Sequence, residues 1–251
     1  MSKKYELTNE TKTLAGGTVL HRIRALMDIP RFGVKAGELG GFVEGENNLS
    51  QDGDAWVYGN AMVYGNAKVS DNAWVYGNAM VYGNAMVSDN AWVLGYAEIS
   101  GNAEISGNAR VSCDAKVSGN ARVSCDAKVS GDAKVYGDAE VSNNAWVSDN
   151  AWVLGNAEIS GNAEISGNAC VSGNADYMVI KNSWSSGRWF TYTRSNKKWS
   201  VGCFYGTGEE LIAKAYKDSE LSGRCYEAIV RAVETIEAAK AEAKGEANGS
   251  K

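Results

Sequence analysis

The chain has 251 residues, 44% hydrophobic and 22% charged, enough apolar surface for one or two globular domains. Its formal net charge of −5 argues against duplex DNA as a partner, and no stretch is long enough to span a membrane. With 29 glycines, 1 proline and 5 cysteines that include no Cys-x-x-Cys pair, the composition fits a turn-rich protein with reduced thiols.

The start, Met1-Ser2-Lys3-Lys4-Tyr5, has no apolar signal core, so a cytoplasmic protein is expected. Residues 1–54 read as an N-terminal β cap with an irregular first coil from about residue 41. Tyr5–Leu7 and Thr18–Leu26 are strand-like around a Gly16-Gly17 turn, and Val43 and Leu49 fall in the phase of the alanines that follow.

From Ala55 to Ala175 an alanine stands at every sixth position without insertion or deletion. A valine or isoleucine follows two residues after each of the first twenty, from Val57 to Val171, and Tyr177 takes that place after Ala175. In Ala-x-Val the first and third side chains face one way and x the other. Ala and Val/Ile therefore point inward, and the next three residues, rich in Ser, Gly, Asn and Asp, form a corner. Three hexapeptides close a triangular coil, and about seven coils stacked at roughly 4.8 Å give a prism about 32 Å tall. Corner asparagines such as Asn60 and Asn78 are expected to form amide ladders.

This repeat, over residues 55–175, resembles the hexapeptide repeat of left-handed β-helix proteins, which include many acyltransferases. The resemblance implies a left-handed parallel β-helix and a parallel homotrimer; the general crossover rule alone favours the right hand. The entry segment Val34–Val43 with Leu49-Ser50-Gln51 is similar to uncharacterised hexapeptide-repeat proteins of bacteria and their phages. The block Ser186–Leu211 resembles a small C-terminal domain of phage and prophage proteins. These likenesses imply the cytoplasm of an infected or lysogenic bacterial host.

Outward positions fall into three columns. One reads Trp56, Trp74, Trp92, Arg110, Lys128, Trp146, Glu164; the next Met62, Met80, Glu98, Lys116, Lys134, Trp152, Cys170; the third Lys68, Met86, Glu104, Arg122, Glu140, Glu158. Trp56, Trp74 and Trp92, beside Tyr58, Tyr76, Met62 and Met80, make an apolar strip expected to be a subunit interface. Arg110, Lys116, Arg122, Lys128 and Lys134 read either as a solvated belt balanced by Asp114, Asp126, Asp132 and Asp138 or as an anion site between subunits.

After Ala175 the pattern changes. Residues 176–240 read as a small α+β C-terminal domain, with strands over Tyr177–Ile180, Arg188–Thr193 and Trp199–Tyr205, a helix capped by Thr207, and a second helix over about 222–240. Residues 241–251 read as a disordered tail. Arg188, Trp189, Tyr192, Arg194, Lys197, Lys198, Trp199 and Tyr205 combine aromatic rings with cations, a mix suited to a nucleotide-like ligand. The opposing reading is that the aromatics are core.

Acyl transfer is disfavoured, because the lone histidine, His21, lies in the cap and no loop interrupts the repeats. Calcium-type Gly-Gly-x-Gly-x-Asp repeats, zinc spacings and threonine columns are absent from the repeat region. The expected protein is thus mainly β and non-enzymatic, without metal or cofactor. Two functions remain open: ligand binding, such as sequestering a nucleotide signal of host defence, and a structural adaptor role toward a protein partner.

Overall fold

The computed structural model describes residues 3–249, with side chains described through residue 243. The chain forms two compact units, Met1–Asp176 and Tyr177–Lys251.

The first unit opens with a hairpin of β1 (Tyr5–Thr13) and β2 (Val19–Ala25), turned at Gly17, whose φ of +83° suits only glycine well. Strand β3 (Leu39–Val43) runs antiparallel to β2. Twenty two-residue strands follow among the described residues, from β4 (Trp56–Val57) to β23 (Cys170–Val171). They stack into three parallel ladders of every third strand: β4 (Trp56–Val57) to β22 (Glu164–Ile165), β5 (Met62–Val63) to β23, and β6 (Lys68–Val69) to β21 (Glu158–Ile159). The unit is therefore a parallel β-solenoid of about seven coils.

Most hexapeptides donate three backbone hydrogen bonds to the next coil. Trp92 N to Ala109 O (2.9 Å), Leu94 N to Val111 O (2.9 Å) and Asn78 N to Gly95 O (2.7 Å) typify the strand and corner bonds. From Ala55 to Val171 the inward alanines and valines or isoleucines are at most 1% exposed, whereas Ala175, past the last strand, is exposed. Each buried Val or Ile contributes roughly 1.5–3 kcal/mol.

Corners turn on one residue with positive φ. Glycine fills most of these places, but Asp71, Asp89, Cys113, Cys125, Asn143 and Asp149 take φ between 57° and 63°. A cysteine there costs about 1–2 kcal/mol, which turn chemistry alone does not foresee. An amide ladder runs unbroken along one corner, Asn66 to Asn84, Asn84 to Asn102, Asn102 to Asn120 and Asn120 to Asp138, each bond 2.8–3.0 Å, and in pieces along a second, Asn72 to Asn90 (3.3 Å) and Asn108 to Asp126 (3.0 Å). The column of Asn60 and Asn78 is instead broken by Tyr96.

The entry coil corrects the expected phase. Val43 lies opposite Val63, and Leu49 opposite Val69, so both occupy valine rather than alanine positions. Gly41 takes the alanine place, where an added Cβ would come within 2.6 Å of Ala61 O. The two extra residues lie between Leu49 and Ala55, where Lys4 and Gln51 fill the corner. Gln51 Oε1 accepts from the Lys4 amide at 2.9 Å. Lys4 Nζ donates to the carbonyls of Gly53 (3.1 Å) and Ala55 (2.9 Å).

The second unit is a meander of β24 (Tyr177–Lys181), β25 (Trp189–Thr193), β26 (Lys198–Val201) and β27 (Phe204–Gly206). The expected strand Trp199–Tyr205 is two strands, because Gly202 at φ +59° begins a two-residue hairpin loop. Helix α1 (Gly208–Asp218) starts at Thr207 in a reciprocal box: Glu210 N donates to Thr207 Oγ1 at 3.3 Å, and Thr207 N donates to Glu210 Oε2 at 2.7 Å. Helix α2 (Glu220–Gly249) is longer than the segment expected, so residues 241–249 of the anticipated tail are helical; residues 250 and 251 lie outside the described residues.

Candidate functional site

Two groups of residues were singled out by type, and the fold treats them differently. In the second unit, alternation along β25 and β26 turns Phe190, Tyr192, Trp199 and Val201 to one side of the sheet. There they pack with Leu211, Ile212, Tyr226, Ile229, Val230 and Val233. Tyr192 and Trp199, 9% and 3% exposed, are core residues rather than stacking platforms. Burial pushes the Tyr192 hydroxyl up from its ordinary value. Arg194 holds the Glu237 carboxylate in a two-pronged pair, Nε at 2.8 Å and Nη2 at 2.9 Å, so its charge is answered within the unit.

The rest of that set stays near the surface without converging. Arg188 and Trp189 are exposed at the start of β25, where Lys181 Nζ sits 4.8 Å above the Trp189 ring. Lys197, in the turn, and Lys198, the first residue of β26, lie at the other end of β25, about 13 Å away at the strand rise. Lys198 approaches Glu210 at 4.0 Å, and Tyr205 Oη accepts from Asn196 Nδ2 at 2.9 Å.

In the first unit the chain's own cap covers much of the expected interface strip. Trp56 is completely buried, with the Tyr5 ring edge-on at 6.4 Å. Phe32 stacks on Trp74 at 4.9 Å, and Trp92 meets Trp74 edge-on at 5.2 Å. Met62 joins Leu20 and Phe42 in a small cluster against which Met80 packs. Tyr58 donates to Glu38 Oε1 at 2.8 Å and stacks on Tyr76, which stays exposed. Trp56 thus has no surface left exposed by the cap, and Met62 has little. The signal that could have shown this is the apolar content of the cap itself, Tyr5, Leu20, Phe32 and Phe42, which needs something to cover.

Lys4 was not foreseen. It is 2% exposed, and desolvation outweighs the nearby Asp54 and Asp52 carboxylates, bringing its ammonium pKa down to about 8. On the second face Glu98 accepts from Lys116 at 2.7 Å and from Tyr82. Burial alone would raise its pKa, but those two bonds hold it below the usual range. His21, in β2, has Nδ1 3.4 Å from the Thr8 carbonyl oxygen. No cluster of three or more His, Cys, Asp or Glu side chains fit to hold a metal occurs among the described residues. No described helix is long and apolar enough to cross a membrane.

A search of the curated proteins found no match to the chain. The family model of the YdcK beta solenoid repeat matches residues 55–71 and 79–95, which lie in the first three coils of the regular repeat. With the stacked parallel ladders, this identifies the chain as a β-solenoid repeat protein.

Proposed function

We propose that the protein is a non-enzymatic binding scaffold: a rigid solenoid that presents fixed columns of side chains to a partner. One observation carries this reading. The twenty strands from β4 to β23 follow one another every six residues with no inserted loop, so the repeat region builds a continuous surface. The adaptor role is favoured over a ligand site in the second unit. There, Tyr192 and Trp199 pack into a core and Arg194 is paired with Glu237.

The left-handed winding, the homotrimer and the phage setting come with the resemblance of the repeat and belong to the same proposal. Support for self-association is narrower than the tryptophan strip promised. It rests on the apolar residues still exposed on or beside the columns, among them Tyr76, Met86, Trp146 and Trp152, each between 42% and 45% exposed. Native mass spectrometry on gently purified protein tests the reading. A trimer, bare or with a protein bound, supports it. A monomer that carries a discrete small-molecule mass released by Arg188→Ala would replace it with ligand sequestration by the second unit.

A further inference from the structure

The three faces of the solenoid carry cations at the same height, yet they are partnered differently. On the second face Lys116 pairs with Glu98 at 2.7 Å, and Lys134 lies 4.5 Å over the Trp152 ring. On the third face Arg122 lies 3.6 Å from Glu104. The first face stacks Arg110 directly on Lys128 in register, with Trp92 before them and Trp146 after. Arg110 has only the Trp92 ring, 4.6 Å away, and Lys128 has no acid within ion-pair distance among the described residues. Like charges in direct register repel.

Beside them runs a groove of about 370 Å³ lined by Asn108, Arg110, Asp126, Lys128, Asn144 and Trp146. Its lone carboxylate, Asp126, already accepts from Asn108 Nδ2 at 3.0 Å, and the lining keeps a net positive charge. Trp146 is 45% exposed, and its orientation is fixed by Nε1 donating to Ser130 Oγ at 3.0 Å. The groove thus offers two cations without acid partners, amide donors and acceptors, and an open aromatic ring, all on a backbone locked by the coil ladder.

We propose that this groove binds a phosphorylated aromatic small molecule of the nucleoside monophosphate class. Its phosphate sits between Arg110 and Lys128, relieving their repulsion, and its ring stacks on Trp146 one coil further on. Phosphate and ring are then one to two coil steps apart, roughly 5–10 Å, a separation that a ribose fills. Arg supplies planar paired donors and Lys a point charge, the usual division of work at a phosphate. The site adds a ligand to the scaffold reading and lies within one chain, so it does not depend on the oligomeric state.

Calorimetric titration of the full chain at low salt with adenosine monophosphate, inorganic phosphate and adenosine tests the proposal. Adenosine monophosphate is expected to saturate with a Kd of about 0.1–1 mM, and phosphate alone to bind at least about tenfold more weakly. Arg110→Gln and Lys128→Gln should each weaken the nucleotide about tenfold. Trp146→Leu should remove its advantage over phosphate, and Lys116→Gln, on the next face, should change nothing. All four side chains are on the surface, and far-ultraviolet circular dichroism checks that each variant is folded. Absence of saturable nucleotide binding, or affinity unchanged in both Arg110→Gln and Lys128→Gln, overturns the assignment.

Discussion

Gly101 and Gly161 share φ of +68°, but their surroundings differ, and a pair of alanine substitutions separates two costs that the corners impose. An added Cβ at Gly161 meets nothing within 4 Å. At Gly101 it would lie 2.8 Å from both the amide nitrogen and the carbonyl oxygen of Gly119 in the next coil. Gly161→Ala should therefore cost only the left-handed backbone term, about 1–2 kcal/mol. Gly101→Ala pays that and must also push two coils apart. The coil ladder resists, because Asn84 N to Gly101 O and Asn102 N to Gly119 O are both 2.7 Å bonds. Overpacking against backbone that cannot rotate away adds about 1–3 kcal/mol. Urea unfolding followed by far-ultraviolet circular dichroism measures both. The expected result is a loss about 1–3 kcal/mol larger for Gly101→Ala, with slopes close to that of the parent chain. Equal losses would refute the claim that coil stacking, rather than backbone angle alone, selects glycine here.

Three further outcomes follow from the same geometry. Ile105→Ala, at a completely buried core position, should cost about 2–5 kcal/mol in the same assay, because neighbouring valines are held by the ladder and cannot collapse into the space. Arg194→Met should lower the stability of the second unit by about 1–2 kcal/mol, read from its thermal midpoint, by leaving Glu237 half-buried without its partner. Stability should rise with pH from about 8 toward 10.5, because the unfolded chain holds the Lys4 proton across that window and the folded chain, with Lys4 near 8, has released it. The full difference is about 3 kcal/mol at 1.36 kcal/mol per unit. Tyr5, whose hydroxyl burial pushes well above its ordinary 10, works the opposite way above pH 10, so urea midpoints at pH 7.5 and 9.5 isolate Lys4. A flat profile there, or the same rise in Lys4→Met, would reject this account.

What the sequence made legible is what repetition enforces. A six-residue period makes every coil alike, so the inward alanines and valines, the outward columns and the corner turns were readable from Ala55 to Val171, and each strand lies where the spacing puts it. Where the period stops, local patterns no longer decide. Val43 and Leu49 matched the alanine phase by count, yet the coil they belong to is two residues longer at its Gln51–Asp54 corner, and that shift moved both into valine positions. The extra length exists because Lys4 and Gln51 fill the corner, a contact between residues about 47 apart that no short window contains. The tryptophan strip shows the same limit. Trp56 and Trp74 are outward by period, and what lies outward of them is the cap, whose Tyr5 and Phe32 close over the two rings. In the second unit the competing readings of Tyr192 and Trp199 differed only in which face of a sheet met the helices; Tyr226, Ile229 and Val230 settle it for the core. The column Trp92, Arg110, Lys128, Trp146 was visible as letters from the start. Its distinction lies in a comparison across faces: the glutamates that stand one coil before Lys116 and Arg122 have a tryptophan in their place before Arg110. A rigid scaffold that pairs Lys116 and Arg122 with glutamates and leaves Arg110 and Lys128 without one keeps charge where a charged ligand can use it.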